Sequence, residues 1–228
     1  MKHVTTKAII LRRLNFEEAD RILTVITPEH GKVSLFAKGA RKHKSRLAGG
    51  LELFSVSDIV YIDGKSDLKT IVSTRLDRFF KNVVSSGVQT TMLGYEFLKL
   101  VDLNTQDSCD ADFYFLIEHA LQALDDGEDI TLIKAWFYTQ ILRLSGRGVN
   151  VAEQISGAPF TEGATYAFDI DNMGFIEKTG APFLPKHIKF LRLLGKVSTP
   201  AHILRIENAD ALARDVVSML ELSVQAEV

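Results

Sequence analysis

Arg21-Ile22-Leu23-Thr24-Val25-Ile26-Thr27-Pro28-Glu29-His30-Gly31-Lys32-Val33-Ser34-Leu35-Phe36-Ala37-Lys38 is the stretch that decides the fold. Its first part is rich in β-branched residues and stops at Pro28, so it predicts a strand over 21–27. A Pro/Gly turn follows. Residues 32–38 then alternate: Val33, Leu35 and Ala37 point one way, Lys32, Ser34, Phe36 and Lys38 the other. Outward from this pair, 6–13 reads as a strand. A fourth strand covers roughly 51–62, interrupted near Ser55–Asp58. Asp63-Gly64-Lys65-Ser66-Asp67 reads as a hairpin turn, and 68–76 as a fifth strand. Short strands with almost no helix predict a small closed barrel. The OB-fold is the commonest barrel of that size that binds nucleic acid.

Directly after the decisive stretch comes Lys38-Gly39-Ala40-Arg41-Lys42-His43-Lys44-Ser45-Arg46, with five Lys/Arg, one His and no acid. Residues 1–50 hold 11 Lys/Arg and 4 Asp/Glu, a charge of +7, on a chain whose total is −2. Such asymmetry predicts a polyanionic partner for the first segment, although a solvated loop is the bland alternative. A strand of nucleic acid would lie across a face lined by Arg12, Arg13, Lys32, Lys38, Arg41, Lys42, Lys44 and Arg46. Phe36 shares a predicted face with Lys32 and Lys38 and would stack on a base. Alternation alone leaves open the other reading, in which Phe36 fills the barrel.

The rest reads as helix, giving an α+β, two-domain chain with a boundary near 78. Apolar residues recur at three and four from Phe79 to Leu100, predicting one long helix over 79–102. Further helices are expected at about 111–125 (capped by Asp110), 130–145, 186–195 and 207–224 (capped by Asn208 or Asp210). Residues 150–182 look like an irregular insertion or small hairpin.

The chain has 228 residues, 46% of them apolar, enough for a substantial core. Its single cysteine, Cys109, excludes an internal disulfide and a cysteine-based zinc site. The short apolar run Ala8-Ile9-Ile10-Leu11 is neither a signal peptide nor a membrane span, so a soluble intracellular protein is expected. Gly64-Lys65-Ser66 resembles the end of a phosphate-binding loop, but Ile59 stands where that motif needs glycine. The six histidines are scattered, and no acid, base and nucleophile assemble. A binding protein, not an enzyme, is expected.

In order and spacing the motifs resemble the RecO family of bacterial recombination mediators. They are Ala8-Ile9-Ile10-Leu11, Glu17-Glu18-Ala19-Asp20-Arg21-Ile22-Leu23, Ile26-Thr27-Pro28-Glu29-His30-Gly31-Lys32, Ala37-Lys38-Gly39-Ala40-Arg41, Lys44-Ser45-Arg46-Leu47 and Leu51-Glu52-Leu53-Phe54, with Leu142 to Asn150 as a later match. The resemblance implies an N-terminal OB-fold barrel over 1–78 and a helical C-terminal domain over 79–228. It implies a cytoplasmic protein that binds single- and double-stranded DNA and anneals complementary strands without ATP. It also implies contacts with RecR and with the C-terminal tail of single-strand-binding protein, which let RecA load during repair. Arg143 and Arg147 are candidate rims for that tail, although arginine near a helix C-terminus also meets the helix dipole. Many family members carry two Cys-x-x-Cys pairs in a zinc-binding insertion. Here those positions fall at about 153/156 and 177/180, now Glu153, Ser156, Glu177 and Gly180. A zinc-less hairpin held by Phe160, Tyr166, Phe168 and Phe175 is therefore expected, with no metal and no cofactor. An RNA-binding OB module and a non-catalytic interaction scaffold are the alternatives from other classes.

Overall fold

The computed structural model describes residues 2–105 and 111–226, and the expected cap Asp110 lies outside them. The chain divides into two compact units, 1–127 and 128–228.

Five strands form the first unit's barrel: β1 (Lys2–Phe16), β2 (Asp20–Thr27), β3 (Gly31–Ala37), β4 (Ser55–Asp63) and β5 (Leu68–Phe79). They close in the order β1-β2-β3-β5-β4, with every pairing antiparallel except the short parallel contact of Ser34–Phe36 with Leu68–Thr70. A closed five-stranded Greek-key barrel with this order is the OB architecture. The inner face follows the alternation: Ala8, Ile10, Leu23, Val25, Leu35 and Ile59 are fully buried. The expected interruption in the fourth strand is instead its beginning. Phe54 takes a left-handed conformation (φ 57°), and β4 starts at Ser55.

The long helix expected over 79–102 is two helices. Phe79 is the last residue of β5, α1 is Lys81–Ser85 and α2 is Val88–Asn104. Gly87 breaks the run at φ 130°, a conformation that side chains rarely adopt. α3 (Asp112–Asp125) completes the unit. The barrel ends near the expected boundary, but α1 to α3 belong with it because the outer barrel face is apolar where α2 lies. Ile9 and Ile26 pair across β1 and β2 on that face and are fully buried. α2 approaches through Gly94, where a Cβ would stand 2.8 Å from the Phe54 ring and 2.9 Å from Val83.

In the second unit α4 (Ile130–Leu144) is the central helix, buried from Ala135 to Leu142. Asp129 caps it by accepting from Leu132 N–H at 2.8 Å. The β6–β7 hairpin (Tyr166–Asp169, Gly174–Glu177) follows, then α5 (Pro185–Leu194) and α6 (Ala209–Gln225). Asn208 stands before α6 in a left-handed conformation and its side chain caps nothing; Asp210 pairs with Arg214 at 2.9 Å. His187 is buried at the start of α5. Its Nδ1 accepts from Leu184 N–H at 2.9 Å, so Nε2 carries the proton and faces Asp215 Oδ2 at 3.1 Å. Nδ1 is thus occupied and this pair is structural.

Two substitutions in the first unit should move stability in opposite directions in urea unfolding. Gly94→Val should cost about 1–3 kcal/mol by overpacking against Phe54 and Val83. Tyr114→Phe should gain about 1 kcal/mol, because the buried Tyr114 hydroxyl has no hydrogen-bond partner and burial holds its pKa above the ordinary value. In the second unit burial lowers the His187 pKa, outweighing the opposing pull of Asp215. The folded state therefore favours neutral imidazole. Its stabilisation is complete above the free-histidine value of about 6.5 and fades as pH falls through the lower folded value. Thermal melts of wild type should fall over that window, and His187→Gln should lose the step.

Candidate nucleic-acid interface

Pairing register decides which side chains share a face. Leu14, Ile22, Phe36 and Thr70 form one outward row across β1, β2, β3 and β5, and Arg12, Thr24, Ser34 and Leu68 form the next. Phe36 therefore does not fill the barrel. It is half-buried on the outside, and its ring meets the exposed ring of Phe16 edge-on at 6.1 Å. With exposed Leu14, these rings make an apolar platform beyond the area that α2 covers.

The basic loop begins at the edge of that platform and is anchored. Gly39 adopts φ 65°, and its N–H donates to Asp20 Oδ1 at 2.7 Å. Arg41 N–H donates to the Ala19 carbonyl at 2.9 Å, tying the loop to the β1–β2 turn. Ala40 is buried in the barrel core, Leu47 packs against it, and Thr74 Oγ1 donates to the Leu47 carbonyl at 3.0 Å. Between these anchors Arg41, Lys42, Lys44 and Arg46 are exposed, as is Lys38. No side chain of the five pairs with an acid among the described residues. Exposed Glu17 and Glu18 lie in the neighbouring β1–β2 turn. Five uncommitted cations beside two aromatic rings match the basic groove and stacking platform of single-strand binders.

Arg12 and Lys32 lie on the outward side too but are tied to Asp102, and Arg13 lies on the inner row. A bulge between Ile10 and Arg12 resets the register, and adjacent strand residues point to opposite sides. Arg13 shares the inner row of Leu23 and reaches the rim, where its Nη1 meets Glu52 Oε2 at 2.5 Å; Arg21 lies 3.7 Å from the same carboxylate. Arg12 Nε is 3.3 Å from Asp102 Oδ2. Lys32 Nζ donates to the Asp102 carbonyl at 2.8 Å and lies 3.6 Å from its carboxylate. Asp102 is in the last turn of α2, where a cation meets the helix dipole and orphan carbonyls. These charges fasten α2 to the barrel. Sequence reasoning missed Asp102 because it lies 70 residues from Lys32.

In the second unit Arg143 is exposed, its Nε donating to Gln140 Oε1 at 3.0 Å, and Arg147 is half-buried. The hairpin carries the expected ring cluster: Phe160, Tyr166, Phe168 and Phe175 meet at 5.2 to 6.2 Å, joined by Phe183. The residues present do not fit a structural zinc. Glu153, Ser156, Glu177 and Gly180 are exposed, and no group of three metal-ligating side chains converges among the described residues. Instead the buried carboxamide of Gln154 spans the two loops, with Nε2 donating to the Pro159 carbonyl at 3.0 Å and Oε1 accepting from Glu177 N–H at 3.2 Å.

Residues 1–80 match the family model described as recombination protein O N terminal. That match ends where β5 ends. The chain is 29% identical over 229 residues to a DNA repair protein RecO of Dehalococcoides mccartyi, covering 98% of this chain and 88% of the relative. The RecO protein of Anaeromyxobacter sp. is 29% identical over 215 residues, covering 93% and 82%.

The chain is similar to RecO proteins along nearly its whole length, and its barrel matches their N-terminal model.

The RecO of Gloeothece citriformis is 42% identical over 71 residues, covering 31% of this chain and 25% of the relative. The committed and uncommitted cations of this chain should separate in experiment. Lys32→Ala should lower the melting temperature, by about 1 kcal/mol in stability, and leave the salt dependence of DNA binding unchanged. Lys42→Ala should do the reverse, with unaltered melting and a log K against log salt slope shallower by about 0.7 for a single strand.

Proposed function

We propose that this chain is a DNA-binding protein of recombinational repair that holds a single strand on the outer face of β1 to β3 and the 38–46 loop. The observation that carries this reading is the set Lys38, Arg41, Lys42, Lys44 and Arg46, exposed and unpaired with acids beside the Phe16–Phe36 platform. The loop neutralises phosphates while the rings stack on bases. Neutralising two strands lowers their mutual repulsion, and complementary strands then anneal without ATP. Gly64 lies in the turn of the β4–β5 hairpin and Ile59 lies inside β4, a setting unlike the strand-to-helix turn of a phosphate-binding loop.

The finer role follows the family. The chain works in the bacterial cytoplasm as a mediator, without zinc, alongside RecR. It takes the acidic tail of single-strand-binding protein near Arg143 and Arg147, so that RecA loads on the cleared strand.

Fluorescence-monitored annealing of complementary oligonucleotides, without ATP, tests the proposal. Acceleration should persist when one strand is coated with single-strand-binding protein. Single-strand affinity should fall roughly a hundredfold between about 50 and 200 mM salt if five phosphates are neutralised. Replacing Arg41, Lys42, Lys44 and Arg46 by Ala should flatten that dependence and abolish annealing. Unchanged binding by that variant would refute the placement, and tighter binding of a matched RNA would redirect the protein to RNA.

A further inference from the structure

The second unit holds a one-signed stretch. Residues 178–206 contain Lys178, Lys186, Lys189, Arg192, Lys196 and Arg205, and no Asp or Glu. The fold turns this into a surface. α5 buries Ile188, Phe190, Leu191 and Leu194 against the unit's core. Lys186, Lys189, Arg192 and Lys196 are all exposed. Spacings of three keep Lys186, Lys189 and Arg192 on one side of the helix, and Lys196 follows in the turn just past its last residue, Leu194.

Their charge is largely uncommitted. Lys189 meets Glu162 at 2.6 Å, but both side chains are mostly exposed, and such a pair is screened and weak. Arg192 donates to the Val151 carbonyl, which orients the guanidinium and leaves its charge intact. Lys186 and Lys196 have no polar partner among the described residues. The nearby carboxylate of Asp215 is engaged by His187. An ordinary solvated helix mixes signs on its outer face, as α6 does with Asp210, Arg214, Asp215 and Glu221. α5 does not.

We infer that the solvent face of α5 is a second nucleic-acid site, which contacts phosphate backbone and is distinct from the one on the barrel. Its two aromatic rings, His187 and Phe190, are both buried, so it grips backbone without stacking on bases. One chain then holds two strands, one on each unit. The inference rests on the reading of this chain as a nucleic-acid binder and adds the site that annealing requires for the second strand.

The test is the binding stoichiometry of a short fluorescent oligothymidylate at low salt, measured on the full chain. The variants are Lys186→Ala/Arg192→Ala/Lys196→Ala and a parallel Lys186→Ala/Lys196→Ala, which breaks no contact. Wild type should take two oligonucleotides per chain and each α5 variant one, with unchanged melting and annealing at least tenfold slower. The barrel-loop variant should also take one. If the α5 variants still bind and anneal as wild type does, the inference is overturned while the barrel site stands. If the loop variant binds as wild type and the α5 variants do not, the barrel reading fails and the α5 site stands alone. A polyglutamate peptide that binds wild type but neither α5 variant, with oligothymidylate stoichiometry unchanged by those variants, would reassign the face to an acidic protein segment and overturn the inference.

Discussion

Barrel closure through the parallel contact of Ser34–Phe36 with Leu68–Thr70 constrains everything else in the first unit. Because β3 and β5 run the same way, the chain leaving β3 at Ala37 cannot turn back into a neighbouring strand. It must cross the barrel end before starting β4 at Ser55. That crossing is the basic loop. Ala40 and Leu47 go inward to close the core, and the residues between them have nowhere to go but solvent. Two apolar anchors thus convert a charged segment into a fixed display of cations. The same closure leaves the row of Leu14, Ile22 and Phe36 on the outside, next to the loop's first residue.

Charge elsewhere on the barrel is spent internally. Lys7, Asp58, Arg75 and Asp77 form a ladder over β1, β4 and β5. The hydrogen bond from Arg75 is the leading cause of the lowered Asp58 pKa, and that to Asp77 the leading cause of the raised Lys7 pKa. Arg12 and Lys32 hold α2 through Asp102, and Arg13 and Arg21 share Glu52. A count of Lys and Arg over residues 1–50 therefore overstates what is available to a partner. The available part is concentrated in 38–46.

The barrel was legible because alternation in 21–38 is a two-residue period that burial enforces, and Pro28 with Gly31 marks the turn. The basic loop was legible from composition alone. Three things were not. The bulge after Ile10 resets the register of β1, so Arg12, not Arg13, continues the outward side on which Ile9 lies. Asp102 becomes a partner of Arg12 and Lys32 only through tertiary packing. The α2 periodicity continues smoothly from Phe80 and Val83, so the break at Gly87 is invisible to a pattern of apolar spacing. In the second unit the aromatic cluster of the hairpin was readable, whereas the role of Gln154 was hidden because it lies one residue from an expected ligand position.

The central claim is that nucleic acid lies on the loop and platform of the barrel. Lysine-reactivity footprinting with and without a bound oligothymidylate tests it most directly. The account predicts protection of Lys38, Lys42 and Lys44, with Lys2, Lys65 and Lys69 unchanged within the same unit. Protection of Lys2, Lys65 and Lys69, with the loop lysines fully reactive, would contradict it.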